Sequence, residues 1–410
     1  MPTPTSSHAA TAPELDPGHA EVIRATLPLV GGKVDDITKV FYNRMFTARP
    51  ELLRTLFNRG NQAQGAQQRA LAASIATFAT HLVDPNLPHP AELLSRIGHK
   101  HASLGITADQ YNIVHEHLFA AIVEVLGAET VTADVAAAWD QVYWLMAKTL
   151  IDLEHQLYQQ AGVGDGQVFH RASITSRVDD PSGAVLITVT AEEPVLYQRH
   201  PAQYVSVGIT LPDGARQIRQ YTVITGAAHE VTFAVKPVAA NANGPAGEVS
   251  NHISQHLRPG DLIDITTAFG DLPTADLGSQ PVVLISAGIG ITPMIAILHH
   301  LHDTGTAATV QVLHADTSPA THPLRELHLR LIKALPAATL DLWYADPGDS
   351  AHAHRGQIDL TDIALHPKSS IFVCGNNGFV EHVREQLLDQ DVNPARIHCE
   401  LFSPNDWLLS

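Results

Sequence analysis

The chain has 410 residues, 45% of them hydrophobic, two cysteines and a formal net charge of −17. That length exceeds one ordinary core, so two or three domains are expected. The charge argues against a nucleic-acid or anionic-membrane surface, each of which needs clustered Lys and Arg. Cys374 and Cys399 are too few for a disulfide framework or a Cys-rich metal site, which favours a reducing, cytoplasmic setting.

The first residues, MPTPTSSHAATAPELDPGHA, lack the basic start and apolar core of a signal peptide, and 1–19 read as a disordered tail. From 20 to 162 the pattern is helical. Ile37, Val40, Phe41 and Met45 repeat at helical spacing, Pro50 breaks the chain, and Phe57 follows a short apolar turn. Thr107 and Gln110 have the spacing of a capping box ahead of the face formed by Tyr111, Val114, Leu118 and Val125. A long periodic helix over 133–160 ends at Gly162 and Gly164.

The period changes near Gln167. Short β-rich runs at 183–190, 203–210, 218–225, 231–236 and 262–267, separated by turns such as Asp213-Gly214 and Pro259-Gly260, predict a six-stranded antiparallel barrel over 163–275. The Ala/Asn/Gly/Pro-rich stretch 239–247 reads as a surface loop. Residues 277–302 carry no Asp, Glu, Lys or Arg, but Gly288, Gly290, Thr292 and Pro293 interrupt them. A buried strand, a turn and a buried helix fit better than a membrane span. Strands expected at 281–286, 308–313, 339–344, 370–374 and 396–401 alternate with helices, the pattern of a doubly wound parallel sheet over 276–410.

Two turns in that last domain suit a nucleotide. Ser286-Ala287-Gly288-Ile289-Gly290-Ile291-Thr292-Pro293-Met294 is a strand, a glycine turn and a helix start, in which Thr292 can cap the helix and Pro293 suits its first turn. Free N–H groups at such a helix end attract a pyrophosphate. Cys374-Gly375-Asn376-Asn377-Gly378-Phe379 is a second strand-turn-helix in the same sheet. The barrel carries Arg219-Gln220-Tyr221-Thr222 on one strand. Alone, that run is as compatible with a structural Arg and Tyr as with a ligand site. Followed by SAGIGITPM, it resembles the ferredoxin-reductase family of flavin and nicotinamide modules.

The resemblance implies FAD and NAD(P)H. Arg219 would pair with a phosphate, Tyr221 would lie against the isoalloxazine and Thr222 would offer it a hydroxyl. Gly247-Glu248-Val249-Ser250-Asn251 is similar to that family's second phosphate segment, with Gly247, Val249 and Ser250 facing FAD. Gln203-Tyr204 is similar to its early tyrosine motif, with Ala202 where Gly is usual. Glu400-Leu401-Phe402 is similar to the final segment, where an acid and an aromatic lie near the flavin. Gly288, Gly290, Thr292, Pro293, Cys374 and Gly375 would hold the nicotinamide nucleotide, with Asn376-Asn377 standing where Pro is usual.

The helical domain resembles a bacterial globin. The carrying residues are Phe41-Tyr42-Asn43-Arg44-Met45-Phe46, Pro50 and Phe57, then Lys100-His101-Ala102-Ser103 and Gln110-Tyr111-Asn112-Ile113-Val114. Globin, FAD barrel and nicotinamide domain in that order are the architecture of flavohaemoglobins, and the resemblance runs from about Ala20 to the end. It implies haem b with His101 as axial iron ligand, among the nearby decoys His99, His115 and His117. Tyr111 and Glu154 would act on the proximal His. Tyr42 would donate to bound O₂, Gln67 would add a polar contact, and Leu71 and Phe57 would wall the pocket, with Lys100 beside it.

The implied reaction is nitric oxide dioxygenation, in which NO, O₂ and NADH or NADPH give nitrate, carried out by a cytoplasmic monomer. A haem-flavin reductase of peroxides or other acceptors uses the same residues. Gas sensing or oxygen storage with a self-reducing flavin module, or a globin-like domain without haem, stay open at this level.

Overall fold

The computed structural model describes residues 15–63, 65–84, 86–87, 90–196, 200–240, 244–350 and 352–402. Most of the expected tail therefore lies outside the described residues. Asp16 accepts hydrogen bonds from the backbone of Gly18 at 2.8 Å and His19 at 3.3 Å, and caps a helix that starts at Pro17. The helix read from the pattern at 36–46 is therefore the second half of α1, Pro17–Ala48. Proline at its first position is tolerated because that N–H has no intrahelical partner.

Six helices follow: α2 (Pro50–Thr55), α3 (Arg59–Ala63), α4 (Ala66–Val83), α5 (Ser95–Leu104), α6 (Ala108–Leu126) and α7 (Ala133–Gln160). Both halves of the expected capping box form at the start of α6, and the Thr107 N–H donates to Gln110 Oε1 at 2.9 Å. α1 packs on α4, α6 and α7, and buries Ile37, Phe41 and Met45 against Leu118, Trp139 and Val142. This is an all-α domain built on long helices, as the periodicity requires.

The barrel closes from β1 (Phe169–Asp179), β2 (Val185–Ala191), β3 (Tyr204–Thr210), β4 (Arg216–Ala227), β5 (Glu230–Val235) and β6 (Leu262–Thr266) in the order β1-β2-β5-β4-β3-β6. Every pair in it is antiparallel. Helix α8 (Glu248–His256) plugs it with Val249 and Ile253, both buried in the barrel core. Each such side chain contributes on the order of 1.5–3 kcal/mol by leaving water. Of the loop expected over 239–247, residues 241–243 lie outside the described residues.

The last domain holds β7 (Val282–Ala287), α9 (Ile291–Asp303), β8 (Val310–Asp316), α10 (Arg325–Ala334), β9 (Ala338–Tyr344), β10 (His354–Arg355), β11 (Ser370–Gly375), α11 (Asn377–Asp389) and β12 (Ile397–Leu401). The strands run parallel in the order β10-β9-β8-β7-β11-β12. Separate apolar clusters on the two faces, one containing Met294 and Leu298 and the other Val380 and Val383, make it doubly wound. The edge strand β10 has two residues, too short to leave a periodic signal. Among the described residues no helix is long and apolar enough to cross a membrane.

Candidate functional site

Three groups of residues come together, two inside the helical domain and one where it meets the barrel and β12. The first surrounds His101, in the last turn of α5. Its Nδ1 lies 2.8 Å from Glu154 Oε1, on α7, and 3.0 Å from the Tyr111 hydroxyl, on α6. Tyr111 also donates to Glu154 at 2.5 Å. Glu154 is 2% exposed, so its carboxylate has traded water for these two donors. Burial, reinforced by Glu154, pushes the Tyr111 phenol far above its ordinary range and keeps it a donor. The ring is thereby fixed with Nδ1 occupied, and no hydrogen bond among the described residues engages Nε2. Two decoys are used otherwise: His115 meets Asp140 at 2.7 Å, and His99 Nδ1 accepts from the Gly270 N–H at 3.1 Å.

The second group comes from α1 and the α2–α4 region. The Tyr42 ring stands edge-on to Phe57 at 6.0 Å, and Phe46 closes the triangle at 5.6 Å from Tyr42 and 5.2 Å from Phe57. Burial raises the Tyr42 phenol well above its normal range, opposed by the nearby Gln62 side chain. Gln62 donates to Gln67 Oε1 at 2.9 Å and accepts from Gln68 at 2.9 Å. Gln67 therefore meets Tyr42 through Gln62, a residue that no sequence signal singled out. Leu71, one turn beyond Gln67, packs against the same core.

The third group lines the cleft between α5, the barrel and β12. Lys100 pairs with Gln220 Oε1, while Gln220 donates to Ser206 at 2.8 Å. Although solvent reaches it, Lys100 is enclosed enough that desolvation, with Arg219 adding repulsion, pushes it down to about 7. Glu400 is buried on β12 and is pushed up to about 7, mainly by desolvation, against the opposing pull of Arg96 and Lys100. Tyr204 sits opposite Thr222 in the β3–β4 register, with Ser103 of α5 nearby. Tyr221 stacks on Phe233 at 5.3 Å. Arg219 donates to its neighbour's carbonyl, Ile218 O, at 2.8 Å, and Phe402 lies exposed at the end of β12.

Gly247 precedes α8 and has no side-chain cap on the helix, so the first N–H groups, from Glu248 to Ser250, point outward. Val249 itself is fully buried, so only its backbone can face a ligand.

In the last domain the two glycine turns touch. A Cβ at Gly290 would stand 2.5 Å from Cys374 O and 2.8 Å from Gly375 Cα. Gly288 has φ +54° and open space above it. Thr292 does not cap the helix. Gly290 is the cap position, and Thr292 lies inside α9, donating to Ile289 O at 3.1 Å. A helix entered directly from a glycine turn leaves its first N–H groups free for an anion. At the second turn Asn376 caps α11 by accepting from the Phe379 N–H at 2.9 Å. Ala202, where glycine was expected, has φ +65° and is 3% exposed. The preference for glycine there is thus conformational.

Sequence reasoning missed the side chains that join the groups. Arg96 of α5 donates to Cys399 O at 2.5 Å and lies 3.8 Å from Asp271. Arg59 of α3 pairs with Asp213 at 2.6 Å and Glu248 at 2.8 Å. These partners are far apart in the chain, and neither spacing nor composition points to them.

Residues 39–150 match the globin family model and residues 284–385 the oxidoreductase NAD-binding domain. The chain is 33% identical to the flavohemoprotein of Bordetella parapertussis over 95% of its own length and 98% of the relative's. Against the flavohemoprotein of Vibrio cholerae it is 33% identical, over 96% and 99%. Its fold superposes on the crystal structure of a flavohemoglobin from Malassezia yamatoensis with bound FAD and haem, with a TM-score of 0.87, 32% identity and coverage of 95% and 100%. Its barrel and nucleotide domains resemble the FAD/NAD-binding domain of nitric oxide dioxygenase from Vibrio cholerae, with a TM-score of 0.53, 26% identity and coverage of 58% and 99%. Identity near one third along the whole of both chains, over a globin followed by a reductase, means that this chain belongs to the flavohaemoglobin (flavohemoprotein) family.

Proposed function

We propose that the protein is a nitric oxide dioxygenase, with haem b in a globin domain over 20–162, FAD on the barrel over 163–275 and NAD(P)H on the α/β domain over 276–410. The observation that carries the reading is the His101–Tyr111–Glu154 arrangement. An imidazole held at Nδ1 by a buried carboxylate and a phenol presents Nε2 as a neutral, electron-rich donor, the chemistry that a haem iron requires of its axial ligand. When bound, the three groups would supply a hydride, its conversion into single electrons, and O₂ activation.

The chain's own residues do the rest. Glu154 and Tyr111 fix the tautomer and orientation of His101. Tyr42, kept protonated by burial, supplies a hydrogen-bond donor on the opposite side, steered by Gln62 and Gln67. Phe57 and Leu71 narrow that side and exclude water. Tyr204, Arg219, Gln220, Tyr221, Thr222, Glu400 and Phe402, with the N–H groups after Gly247, would hold FAD next to Lys100. The turns at Gly288–Pro293 and Cys374–Gly375 would hold the nucleotide.

The test is NO consumption by an electrode in aerobic buffer with NADH, and nitrate measured in parallel. Nitrate formed in step with NO consumed is expected. Rapid NADH oxidation without NO-dependent nitrate, or with peroxide reduced instead, would refute the reading.

A further inference from the structure

Gln217 of β4 is fully buried, yet most of its side-chain bonds leave the barrel. Its Nε2 donates to Leu53 O at 3.2 Å and to Phe57 O at 3.3 Å, and its Oε1 accepts from the Arg59 N–H at 3.3 Å. All three partners belong to the segment 53–59 of the helical domain, which carries Phe57 from α2 into α3. Leu53 lies near the end of α2, where carbonyls lack an intrahelical partner, so a barrel side chain completes that helix end. Around this contact Arg54 donates to Asp213 O at 2.8 Å, and Arg59 pairs with Asp213 and Glu248.

Burial decides which of these contacts fixes the segment. Asp213 and Glu248 are partly exposed, and ion pairs that water can replace contribute little. Gln217 has no water to fall back on, so losing it leaves buried carbonyls unpaired, which is the costlier event. A six-residue helix such as α2 is marginal by itself, so its place depends on what it docks against. Gln217, Arg219 and Tyr221 alternate along one face of β4, and Arg219 Nη1 lies 3.5 Å from Gln217 Oε1. That face therefore serves both the proposed FAD site and the Phe57 segment. At the far end of the segment Phe57 stands edge-on to Tyr42 and Phe46, so a shift of 53–59 reaches the Tyr42 ring directly.

We propose that Gln217 is a positioning residue through which the barrel holds Phe57 in place, and with it the wall of the haem pocket on the Tyr42 side. This rests on the reading that Phe57 walls that side. The pocket is then complete only with the barrel docked, and the strand that would hold FAD also restrains the group that narrows the approach to the haem. Without Gln217 the end of α2 loses its tie, Phe57 moves away from Tyr42 and Phe46, and the approach widens.

The experiment uses the holoprotein, with CO as the probe. Gln217→Met keeps the length of the side chain and removes its donors and its acceptor. It is expected to speed bimolecular CO recombination after flash photolysis several-fold, to broaden the C–O stretching band of the bound gas and to speed amide exchange at Arg59. Gln217→Glu decides the matter if the Met variant does not fold. It keeps an acceptor for the Arg59 N–H and removes the donors to Leu53 and Phe57, so the two CO changes are expected while exchange at Arg59 stays slow. CO recombination and a C–O band both unchanged in a folded Gln217 variant would overturn the proposal. Phe57→Leu tests the underlying reading separately. If it shifts the CO signals while the Gln217 variants do not, the proposal falls and the wall stands; if it too leaves them unchanged, Phe57 does not wall the haem and both fall.

Discussion

At the scale of single residues, one atom deserves the closest test: Glu154 Oε1, which accepts from both His101 and Tyr111. Gln in its place keeps the shape but removes the negative charge, and its amide can present a donor where Tyr111 and His101 already donate. Altering such a supporting partner of a metal ligand typically costs ~10–100-fold in activity. Glu154→Gln is therefore expected to slow NO turnover by that order and to lower the iron–histidine stretching frequency in resonance Raman spectra. An unchanged frequency would mean that the carboxylate does not act through His101. Ala202 offers a test of a different kind. A methyl group at φ +65° is strained, and glycine removes the strain, so Ala202→Gly should raise stability by up to about 1 kcal/mol in urea unfolding. A loss instead would show that the methyl group's packing with Ile224 and Met294 outweighs the strain.

Among the elements, α5 connects the three domains. One face carries His101. From the same helix His99 accepts from the barrel at Gly270, Lys100 pairs with Gln220, and Arg96 donates to Cys399 O on β12. Arg96→Ala is expected to leave anaerobic flavin reduction by NADH near its normal rate and to slow the following haem reduction, because β12 and its Glu400 lose their tie to the helix that carries His101. Equal slowing of both steps in stopped-flow traces would contradict that. The elements themselves were legible because their signals are local. Helical period marked α6 and α7, the glycine turns marked β7–α9 and β11–α11, and His101, Tyr111 and Glu154 followed from the family pattern. What stayed hidden is what the chain brings together only after folding. Arg96 meeting Cys399, Arg59 meeting Asp213 and Glu248, and Gln62 standing between Tyr42 and Gln67 leave no periodic trace. Thr292 was misplaced because a Thr before Pro suits a cap on paper, whereas the Gly288–Gly290 turn enters the helix two residues earlier.

Over the whole molecule each domain junction contains an apolar cluster. Ala202, Ile224 and Ala234 of the barrel share one apolar cluster with Ile291 and Met294, so barrel and nucleotide domain form a single packed unit. The helical domain meets that unit through the polar contacts of Arg54, Arg59, Arg96 and Lys100 and through an apolar cluster in which Ala102, Leu157 and Tyr158 pack with Val168 and Phe269. The packed unit has its own weak point in acid. His314, His322 and His328 are all buried at 1% exposure or less, beside Lys236 and Arg325. His314 bonds Ser286 at 2.9 Å, and His322 bonds Tyr344 at 2.8 Å and His328 at 3.2 Å. Burial holds His322 down to about 2 and His328 down to about 3, and His314 well below its usual range. All three are neutral when folded, whereas in the unfolded chain they protonate near pH 6.5. A depressed folded pKa means that the stability is fully present above the unfolded value and is lost as pH falls below it. The loss is at most about 1.4 kcal/mol per pH unit for each imidazole. Amide hydrogen exchange in β8 and β9 of the holoprotein should therefore speed up, beyond the intrinsic pH effect, as pH drops from 7.5 to 5, ahead of exchange in α1 and α7. His328→Gln keeps a polar partner for His322 and removes one titrating ring, so it should make that pH dependence shallower by one proton. Protection in β8 and β9 that holds constant down to pH 5 would mean that the trio does not set the acid limit of the reductase unit.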